Sequence, residues 1–286
     1  MFVNVVQGST EWHKLRSKSL GASDAPVVMG VSPWKTPYQL WEQKVGLRQQ
    51  QVANNNMMAG TALEEPAREI MCKELGCDFK PAVYLHNAYK WMIASLDGID
   101  EKKQVGIEIK LANEIDHQGV LDGKVPEKYY PQLQHQMLVT GLSSIFYCSF
   151  RNINTFNIVE VKADERYISE MILKENEFWD CVQNFEAPKL IEKDYVCMDL
   201  NEGWCKAALH WKECNQKIKD FESLEKEYRN QLIKMTNGSN CKGHGIKVSK
   251  LLRKGFVDYK NVPELEDIDL DKYRKPSTES WRFSIE

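Results

Sequence analysis

The segment from Val105 to Ala112, VGIEIKLA, constrains the fold most, because apolar and polar side chains alternate along it. Successive side chains of a β-strand point to opposite faces of the sheet, so this alternation predicts a strand. One face carries four apolar residues: Val105, Ile107, Ile109 and Leu111. Glu108 and Lys110 then project together from the opposite face. A carboxylate and an amine are therefore expected side by side on one strand.

Asp97 precedes this strand and is expected to lie across from it. If the chain turns back near Lys102 and Lys103, Asp97 faces Glu108, with roughly 4.5 to 5.5 Å between directly opposed Cα atoms. Two carboxylates at that separation, with the backbone carbonyl of Ile109 and water molecules, suit Mg²⁺, and Mn²⁺ could substitute. The hairpin therefore predicts a metal site with few protein ligands.

Lys110 would stand beside this metal. A divalent cation can polarise a phosphate and lower the pKa of its water, while an ammonium group orients that water or stabilises developing negative charge. Taken singly, Asp97-Gly98 is more typical of a turn, and Glu and Lys alternating with Ile are more typical of a solvated strand face. Taken together, D-x(10)-E-x-K after an apolar strand indicates metal-assisted phosphodiester hydrolysis.

Capping residues and apolar spacing predict the order of the other elements. Helices are expected after Ser9, Ser23, Thr36 and Gly60, over 126–141 and over about 164–184. Strands are expected over 89–95, 105–112, 144–150 and 156–161. This order predicts an α/β fold with a central mixed β-sheet flanked by helices.

The composition changes near Asp199, which predicts a core over 1–199 and a C-terminal extension over 200–286. The extension is expected to hold a long charged helix and a basic β-hairpin, GIKVSKLLRKGFVDYKNV. An exposed basic hairpin either contacts a DNA backbone or provides solubility and protects a sheet edge. The basic residues concerned are Lys247, Lys250, Arg253 and Lys254.

Bulk composition limits the class of protein. A net charge of −3 gives no general attraction to polyanions, so any contact with nucleic acid must depend on a local basic surface. The eight cysteines form no C-x-x-C pair, which argues against a zinc ribbon or a disulfide framework. The opening residues lack the pattern of a signal peptide, and no apolar run is long enough to span a bilayer. A cytoplasmic chain without a membrane segment is expected.

Five segments in order resemble the YqaJ-type viral recombinase nucleases, lambda-exonuclease-like members of the PD-(D/E)XK superfamily. They are EWHKLRSKSLGASDAP, GTALEEPAREI, SLDGI, GIEIKLA and YYPQLQHQM, and the similarity covers about residues 8–185. The resemblance implies a restriction-endonuclease-like core in which Asp97, Glu108 and Lys110 are catalytic. Leu96 replaces the proline that the superfamily motif places before the first aspartate, and this proline supplies backbone stiffness rather than a ligand.

The resemblance also implies two supporting catalytic residues. Glu64 would assist at the metal site, although Thr61-x-x-Glu64 also fits a capping box at a helix start. Gln132 would support the site from the helix that follows the catalytic strand, although a polar residue on such a helix is often on the surface.

Arg16, Ser23 and Ser95 are candidate phosphate ligands. A serine at a helix N-terminus offers a hydroxyl and free backbone N–H groups, and an arginine one or two turns back could reach the same group. The resemblance implies that Arg16 and Ser23 hold the 5′-terminal phosphate of DNA, with Ser95 as a further contact. If the resemblance is set aside, the sequence indicates that Ser23 is a simple helix cap and that Arg16 is a surface residue.

The activity implied by the resemblance is 5′-to-3′ exonuclease digestion of linear double-stranded DNA, which leaves 3′ single strands for phage-type recombination. Implied partners are DNA ends, a single-strand annealing protein and two further copies of the chain in a homotrimeric ring. An endonuclease of the same superfamily and a non-catalytic DNA-binding recombination protein are alternatives that the sequence leaves open.

Overall fold

A seven-stranded sheet forms the centre of the protein in the computed structural model. The structure describes residues 1–49, 55–152, 154–253, 255, 262–263 and 268, without the side chains of 55–57. The strands of this sheet are β1 (Phe2–Val3), β2 (Leu20–Gly21), β3 (Lys80–Leu85), β4 (Met92–Asp100), β5 (Val105–Leu111), β6 (Ser144–Asn152) and β7 (Thr155–Lys162). Their order is β1-β3-β4-β5-β6-β7, and β2 pairs with β4 from outside this path.

Helices flank the sheet. They are α1 (Thr10–Ser17), α2 (Ala25–Val28), α3 (Pro37–Lys44), α4 (Asn55–Leu75), α5 (Glu114–Leu121), α6 (Tyr130–Thr140) and α7 (Glu165–Gln183). Short 3₁₀ turns occur at Ala22–Asp24, Glu127–Tyr129 and Glu192–Asp194. The strand pairs β4–β5 and β6–β7 are antiparallel, whereas β5–β6 and β2–β4 are parallel. The predicted α/β fold with a mixed sheet and flanking helices is therefore confirmed.

Two apolar clusters cover the two faces of the sheet. On one face, Leu133 and Met137 of α6 pack with Leu96 of β4 and with residues of β6. On the other face, residues of α4 pack against Ile107 and Ile109 of β5. Strand β5 is consequently central and covered on both sides. Leu96, at the position of the superfamily proline, is a fully buried core residue.

The register of β4 against β5 agrees with the predicted turn. Gly98 pairs with Ile107, and Asp100 pairs with Val105, so the two strands are symmetric about Lys102 and Lys103. The carboxylate of Asp100 accepts the backbone N–H groups of both lysines at 3.0 Å. These two hydrogen bonds fix the position of the turn and so the register of the strands. A slip of one residue would move every side chain of a strand to the other face of the sheet.

The helix predicted after Ser23 has a different start. Ser23 lies inside the 3₁₀ turn Ala22–Asp24, and Asp24 is the N-cap of α2. The carboxylate of Asp24 accepts the backbone N–H of Gly21 at 3.0 Å, which tightens the chain before the helix. Ser23 as the helix cap is therefore wrong, and its hydroxyl is available for another contact.

Two further helices differ from the prediction. Helix α4 begins at Asn55 rather than after Gly60, so Thr61 and Glu64 lie inside it, and the capping-box alternative for Glu64 is wrong. Helix α5 was not predicted, although Asn113 caps it by accepting the backbone N–H of Asp116 at 2.8 Å. By contrast, α7 has the predicted caps, Asp164 and Asn184.

The C-terminal part of the chain contains α8 (Glu202–Met235) and a hairpin of β8 (Cys241–Gly243) and β9 (Ile246–Val248). The hairpin turns at His244 and Gly245, which both have positive φ, as a type I′ turn requires. Of the hairpin predicted over 245–262, Ile246–Val248 form β9, whereas residues 254 and 256–261 lie outside the described residues. Lys247 lies on β9, Lys250 and Arg253 follow the strand, and Lys254 falls outside the described residues.

Contacts divide the chain into two units, Met1–Val196 and Cys197–Glu286. The division expected from composition, between 199 and 200, stays a prediction about domain organisation. Within the described part of the chain, no helix combines the length and apolar composition that crossing a bilayer requires.

Gly98 provides a test of the packing around β4 and β5. A Cβ atom at this position would lie 2.7 Å from Cβ of Phe79 and 2.9 Å from Cγ2 of Ile107. We expect Gly98→Ala to lower the free energy of unfolding by about 1–3 kcal/mol, since overpacking forces neighbours to shift. Urea unfolding measures this change. Gly60→Ala in α4 is the control, because its Cβ meets nothing within 4 Å and alanine favours a helix. Equal urea midpoints for Gly98→Ala and the wild type would contradict the packing described here.

Candidate active site

Glu108 is a buried carboxylate on the central strand β5, with only 2% of its side chain exposed. The side-chain amides of Gln132 and Gln136 donate to its two oxygens at 2.5 and 2.6 Å. Gln132 and Gln136 are four residues apart and so share one face of α6. Lys110 forms an ion pair with the same carboxylate. Both oxygens of the buried Glu108 carboxylate are therefore paired, so the polar face of β5 is not a solvated strand face.

Asp97 lies beside Glu108 at the adjacent strand. Its Oδ2 accepts the backbone N–H of Ile109 at 2.7 Å, which ties the carboxylate to β5. The guanidinium of Arg68, on α4, donates to the backbone oxygen of Asp97 at 3.1 Å. These two bonds hold both the side chain and the backbone of Asp97.

The charges of these residues are strongly coupled. Burial raises the pKa of Asp97 well above its ordinary value, and the nearby charges of Glu108 and Glu64 raise it further, against the opposing effect of Lys110. Burial would lower the pKa of Lys110, but the carboxylates of Glu108 and Asp97 outweigh it and raise that pKa. Lys110 thus remains an ammonium group, while Asp97 lacks full compensation for its negative charge.

This arrangement fits a divalent cation with oxygen ligands. Carboxylates are ligands of Mg²⁺ and Mn²⁺, and Mg²⁺ is commonly bound through one or two carboxylates while it keeps several waters. Within the described ranges, no three His, Cys, Asp or Glu side chains group as metal ligands. Asp97 and Glu108 are the carboxylates that would hold such a cation, and its positive charge would offset the charge that raises the pKa of Asp97.

Glu64 stands further from this centre. It lies on α4, half-buried, and burial raises its pKa first, with Glu108 adding to the rise and Lys110 opposing it. Glu64 therefore interacts electrostatically with the catalytic candidates but does not line their cavity. An assisting role at a metal stays a prediction.

A second group of polar residues lies next to the carboxylates. The Nη2 atom of Arg16 donates to the hydroxyl of Ser23 at 2.6 Å, and its guanidinium carbon lies 4.8 Å from the Trp12 ring centroid. The indole Nε1 of Trp12 donates to the hydroxyl of Ser95 at 2.9 Å. Trp12 thereby holds both Arg16 and Ser95 in place.

The positive charge of Arg16 is only partly neutralised by acidic groups within the protein. Asp24 lies 3.8 Å from Arg16 but only 2.8 Å from Lys44, whose side chain is largely buried. Burial would raise the pKa of Asp24, but Lys44 first and Arg16 second outweigh it and hold that pKa well below its usual range. Because Lys44 pairs most closely with Asp24, Arg16 can bind an additional anion.

The two groups share one cavity of about 130 Å³. Seven of the nine predicted site residues line it: Arg16, Ser23, Ser95, Asp97, Glu108, Lys110 and Gln132. Ile109 contributes its backbone N–H to Asp97, while its side chain is in the core. Trp12, Arg68 and Gln136 were not predicted as site residues. The spacing of Gln132 and Gln136 was a signal for the last of these, since both had to share one helical face.

Asp97 allows a test of the electrostatic strain. A carboxyl group whose pKa is higher in the folded than in the unfolded chain stabilises the fold only while it is protonated. Its contribution to the free energy of unfolding is therefore lost as the pH rises from the unfolded-state pKa through the folded-state pKa. We therefore expect Asp97→Asn to raise the melting temperature at pH 7 in EDTA by about 2–4 °C, the effect of about 1 kcal/mol in a domain of this size. Mg²⁺ should stabilise the wild type but not this variant.

The control for this melting experiment is Asp122→Asn, which makes the same change at an exposed position. It should leave both the melting temperature and the response to Mg²⁺ unchanged. An Asp97→Asn variant that melts at or below the wild-type temperature in EDTA would contradict the strain inferred for this site.

Comparisons with known proteins agree with the motifs. Residues 11–143 match the model of the YqaJ-like viral recombinase domain. The uncharacterized protein YqaJ of Bacillus subtilis (strain 168) is 27% identical over 249 residues, which cover 78% of this chain and 76% of that protein. The uncharacterized protein R354 of Acanthamoeba polyphaga mimivirus is 31% identical over 158 residues, which cover 50% of this chain but only 28% of its own length.

Solved structures with a similar fold include an alkaline exonuclease, LHK-Exo, from Laribacter hongkongensis. Its crystal structure is 24% identical in sequence, has a TM-score of 0.55, and covers 62% of this chain and 94% of its own. The structure of LHK-Exo in complex with dAMP gives a TM-score of 0.54 at the same identity and coverage. The resemblance inferred from the sequence is confirmed by the match of residues 11–143 to the model of the YqaJ-like viral recombinase domain and by the similarity to YqaJ.

Proposed function

We propose that this chain is a divalent-metal-dependent exonuclease that digests one strand of linear double-stranded DNA in the 5′-to-3′ direction. The observation that carries the proposal is the single cavity in which the Asp97–Glu108–Lys110 group meets the Arg16–Ser23 pair. A hydrolytic centre and an anion site so close together suit an enzyme that cuts near a phosphorylated end. The recombinase-domain match and the alkaline-exonuclease fold support the same activity.

Asp97 and Glu108 would hold the metal, Mg²⁺ or alternatively Mn²⁺. When bound, the cation supplies Lewis-acid polarisation of the scissile phosphate and promotes ionisation of the attacking water. Lys110, kept protonated by its two acidic neighbours, stabilises the negative charge that develops on the phosphate oxygens. Gln132 and Gln136 hold Glu108 in one orientation, so the carboxylate needs no reorganisation during the reaction.

Arg16 and Ser23 would bind the 5′-terminal phosphate. A guanidinium and a hydroxyl supply charge-assisted hydrogen bonds, which are stronger than neutral ones. The cavity of about 130 Å³ is small, which suits the end of a single strand better than a duplex that runs through the site. Ser95, held by Trp12, lines the same cavity and would be a further phosphate contact. Recognition of the end would set the direction of digestion.

Linear duplexes labelled separately at the 5′ and 3′ ends, beside closed circular DNA, test the activity. With Mg²⁺ we expect release of label from 5′ ends only and no cutting of the circle.

Lys110→Ala should reduce the rate by at least ~100-fold, because oxyanion stabilisation of this kind is worth about 3 kcal/mol or more. Lys124→Ala, which removes an exposed lysine, is the control. Cutting of the circle would show an endonuclease instead, and no cutting with either metal would favour a non-catalytic DNA-binding protein.

The anion site is tested by comparing duplexes with a 5′-phosphate and a 5′-hydroxyl. We expect the wild type to prefer the phosphate, and Arg16→Gln and Ser23→Ala each to reduce that preference about tenfold, since a hydrogen bond to a charged group contributes about 1.5 kcal/mol or more. Lys14→Gln, an exposed cation on the same helix, should leave the preference unchanged. A phosphate preference that survives both substitutions would contradict the proposed role of this pair.

The proposed assembly is a homotrimeric ring around DNA in the cytoplasm, with a single-strand annealing protein as the partner that receives the 3′ strand. A net charge of −3 supports this arrangement, since a ring retains DNA by topology and needs no strongly basic surface. Light scattering should then give three times the chain mass of 33.2 kDa. A mass of one chain at micromolar concentration would contradict the ring.

A further inference from the structure

Trp34 is an exposed aromatic residue next to the site that the exonuclease proposal does not use. It lies between α2 and α3, and 65% of its surface is accessible to solvent. Its ring centroid is 6.1 Å from that of Tyr129, at a tilt of 38°. Tyr129 in turn stacks on the fully buried Tyr147 at 5.8 Å. The exposed indole of Trp34 therefore packs against Tyr129, which is itself held by the buried Tyr147.

Two cations connect this aromatic pair with the catalytic candidates. The ammonium of Lys128 lies 5.5 Å from the Trp34 ring and 5.3 Å from the Tyr129 ring. The ammonium of Lys110 lies 5.5 Å from the same Tyr129 ring. The pair is therefore fixed between Lys110 and solvent, beside the cavity of the catalytic residues.

The spacing from Lys110 to Trp34 corresponds to a short stretch of DNA. The separations are 5.5 Å from Lys110 to the Tyr129 ring and 6.1 Å from that ring to Trp34. Stacked nucleotides rise about 3.4 Å each, so Trp34 lies within roughly three nucleotides of the ammonium group. Neither Trp34 nor Tyr129 lines the cavity that holds the carboxylates. A base contacting Trp34 would therefore belong to a nucleotide within about three of the one being cut.

The other surroundings of Trp34 suit a sugar–phosphate backbone. Trp34 lines a separate cavity of about 180 Å³ together with Lys35 and Lys193. Lys193 is exposed, whereas Lys35 is tied to Gln43 at 2.6 Å. Aromatic platforms combined with nearby cations are the arrangement by which proteins hold unpaired nucleic-acid strands without sequence preference.

We propose that Trp34 is a base-stacking residue, which binds one nucleobase of the DNA end within about three nucleotides of the scissile phosphate. Tyr129 and Lys128 hold the indole in position for this contact. This inference rests on the proposed exonuclease function, since it takes DNA as the ligand. Stacking of this kind contributes about 1–3 kcal/mol per base and tolerates every base.

Binding experiments in EDTA test the stacking without catalysis. The probes are 5′-phosphorylated duplexes with 2-aminopurine placed in turn at each of the first six positions from the end on either strand. We expect the wild type to quench 2-aminopurine at one position near the end, and Trp34→Phe to retain that quenching. Trp34→Ala should lose it and bind the duplex about 5- to 150-fold more weakly. Trp204→Ala, which removes a tryptophan that is 58% exposed on α8, is the matched control.

A second set of duplexes separates stacking from a structural role. Each carries an abasic site at one of the same positions. At the stacked position, the wild type and Trp34→Ala should bind the abasic duplex equally, whereas at every other position the weaker binding of Trp34→Ala should persist. A loss of affinity that is the same for all abasic positions would overturn base stacking, and so would wild-type affinity of Trp34→Ala or the absence of position-specific quenching by the wild type.

Failure of the stacking proposal can be distinguished from failure of the exonuclease proposal. Position-specific quenching that depends on Trp34, in a protein that releases no label from DNA ends, would retain the stacking site and reject the exonuclease. Release of 5′ label by a protein in which Trp34→Ala binds and quenches like the wild type would retain the exonuclease and reject the stacking site.

Discussion

The buried carboxylate of Glu108 is the constraint on which the arrangement of the site depends. Placing a charge in a protein interior costs several kcal/mol unless a counter-charge and hydrogen bonds compensate for it. Lys110 supplies the counter-charge, and Gln132 and Gln136 supply the hydrogen bonds from α6. Helix α6 must therefore present polar side chains toward the centre of the sheet. This requirement explains why a helix that covers an apolar core buries Gln132 and Gln136.

A second buried charge pair joins α6 to α7. Nδ1 of His135 donates to the carboxylate of Glu175 on α7 at 2.8 Å, and Nε2 donates to the backbone oxygen of Ile93 on β4 at 3.2 Å. Burial would lower the pKa of His135, but Glu175 outweighs it and raises that pKa, so an imidazolium–carboxylate pair is favoured. Such pairs add little net stability, yet removing one partner costs about 3–5 kcal/mol. They therefore fix the position of α6, and through it the orientation of Glu108.

The sequence predicted the parts of the site that local rules determine. Alternation along β5 and the turn at 102–103 were sufficient to predict the register of β4 against β5, in which Gly98 pairs with Ile107. Asp97 and Glu108 then line one cavity. The role of Ser23 as a helix cap was wrong, since the chain forms a 3₁₀ turn at Ala22–Asp24 and α2 has Asp24 as its N-cap. Gln136 was missed as a partner of Glu108, because the burial of that carboxylate depends on packing between α6 and the sheet. The helical spacing indicated that Gln132 and Gln136 share a face, but not that this face packs on a buried carboxylate.

The proposed activity depends on two contacts: a divalent cation that Asp97 and Glu108 would share, and a 5′-phosphate that Arg16 and Ser23 would hold. A crystal structure of the full chain with Mn²⁺ and a 5′-phosphorylated duplex measures both directly, because anomalous scattering locates manganese. We predict a manganese ion bonded to oxygens of both carboxylates, with the terminal phosphate contacting the Arg16 guanidinium and the Ser23 hydroxyl. Manganese bound elsewhere, or a 5′-phosphate away from Arg16 with the carboxylates free of metal, would contradict this account of the site.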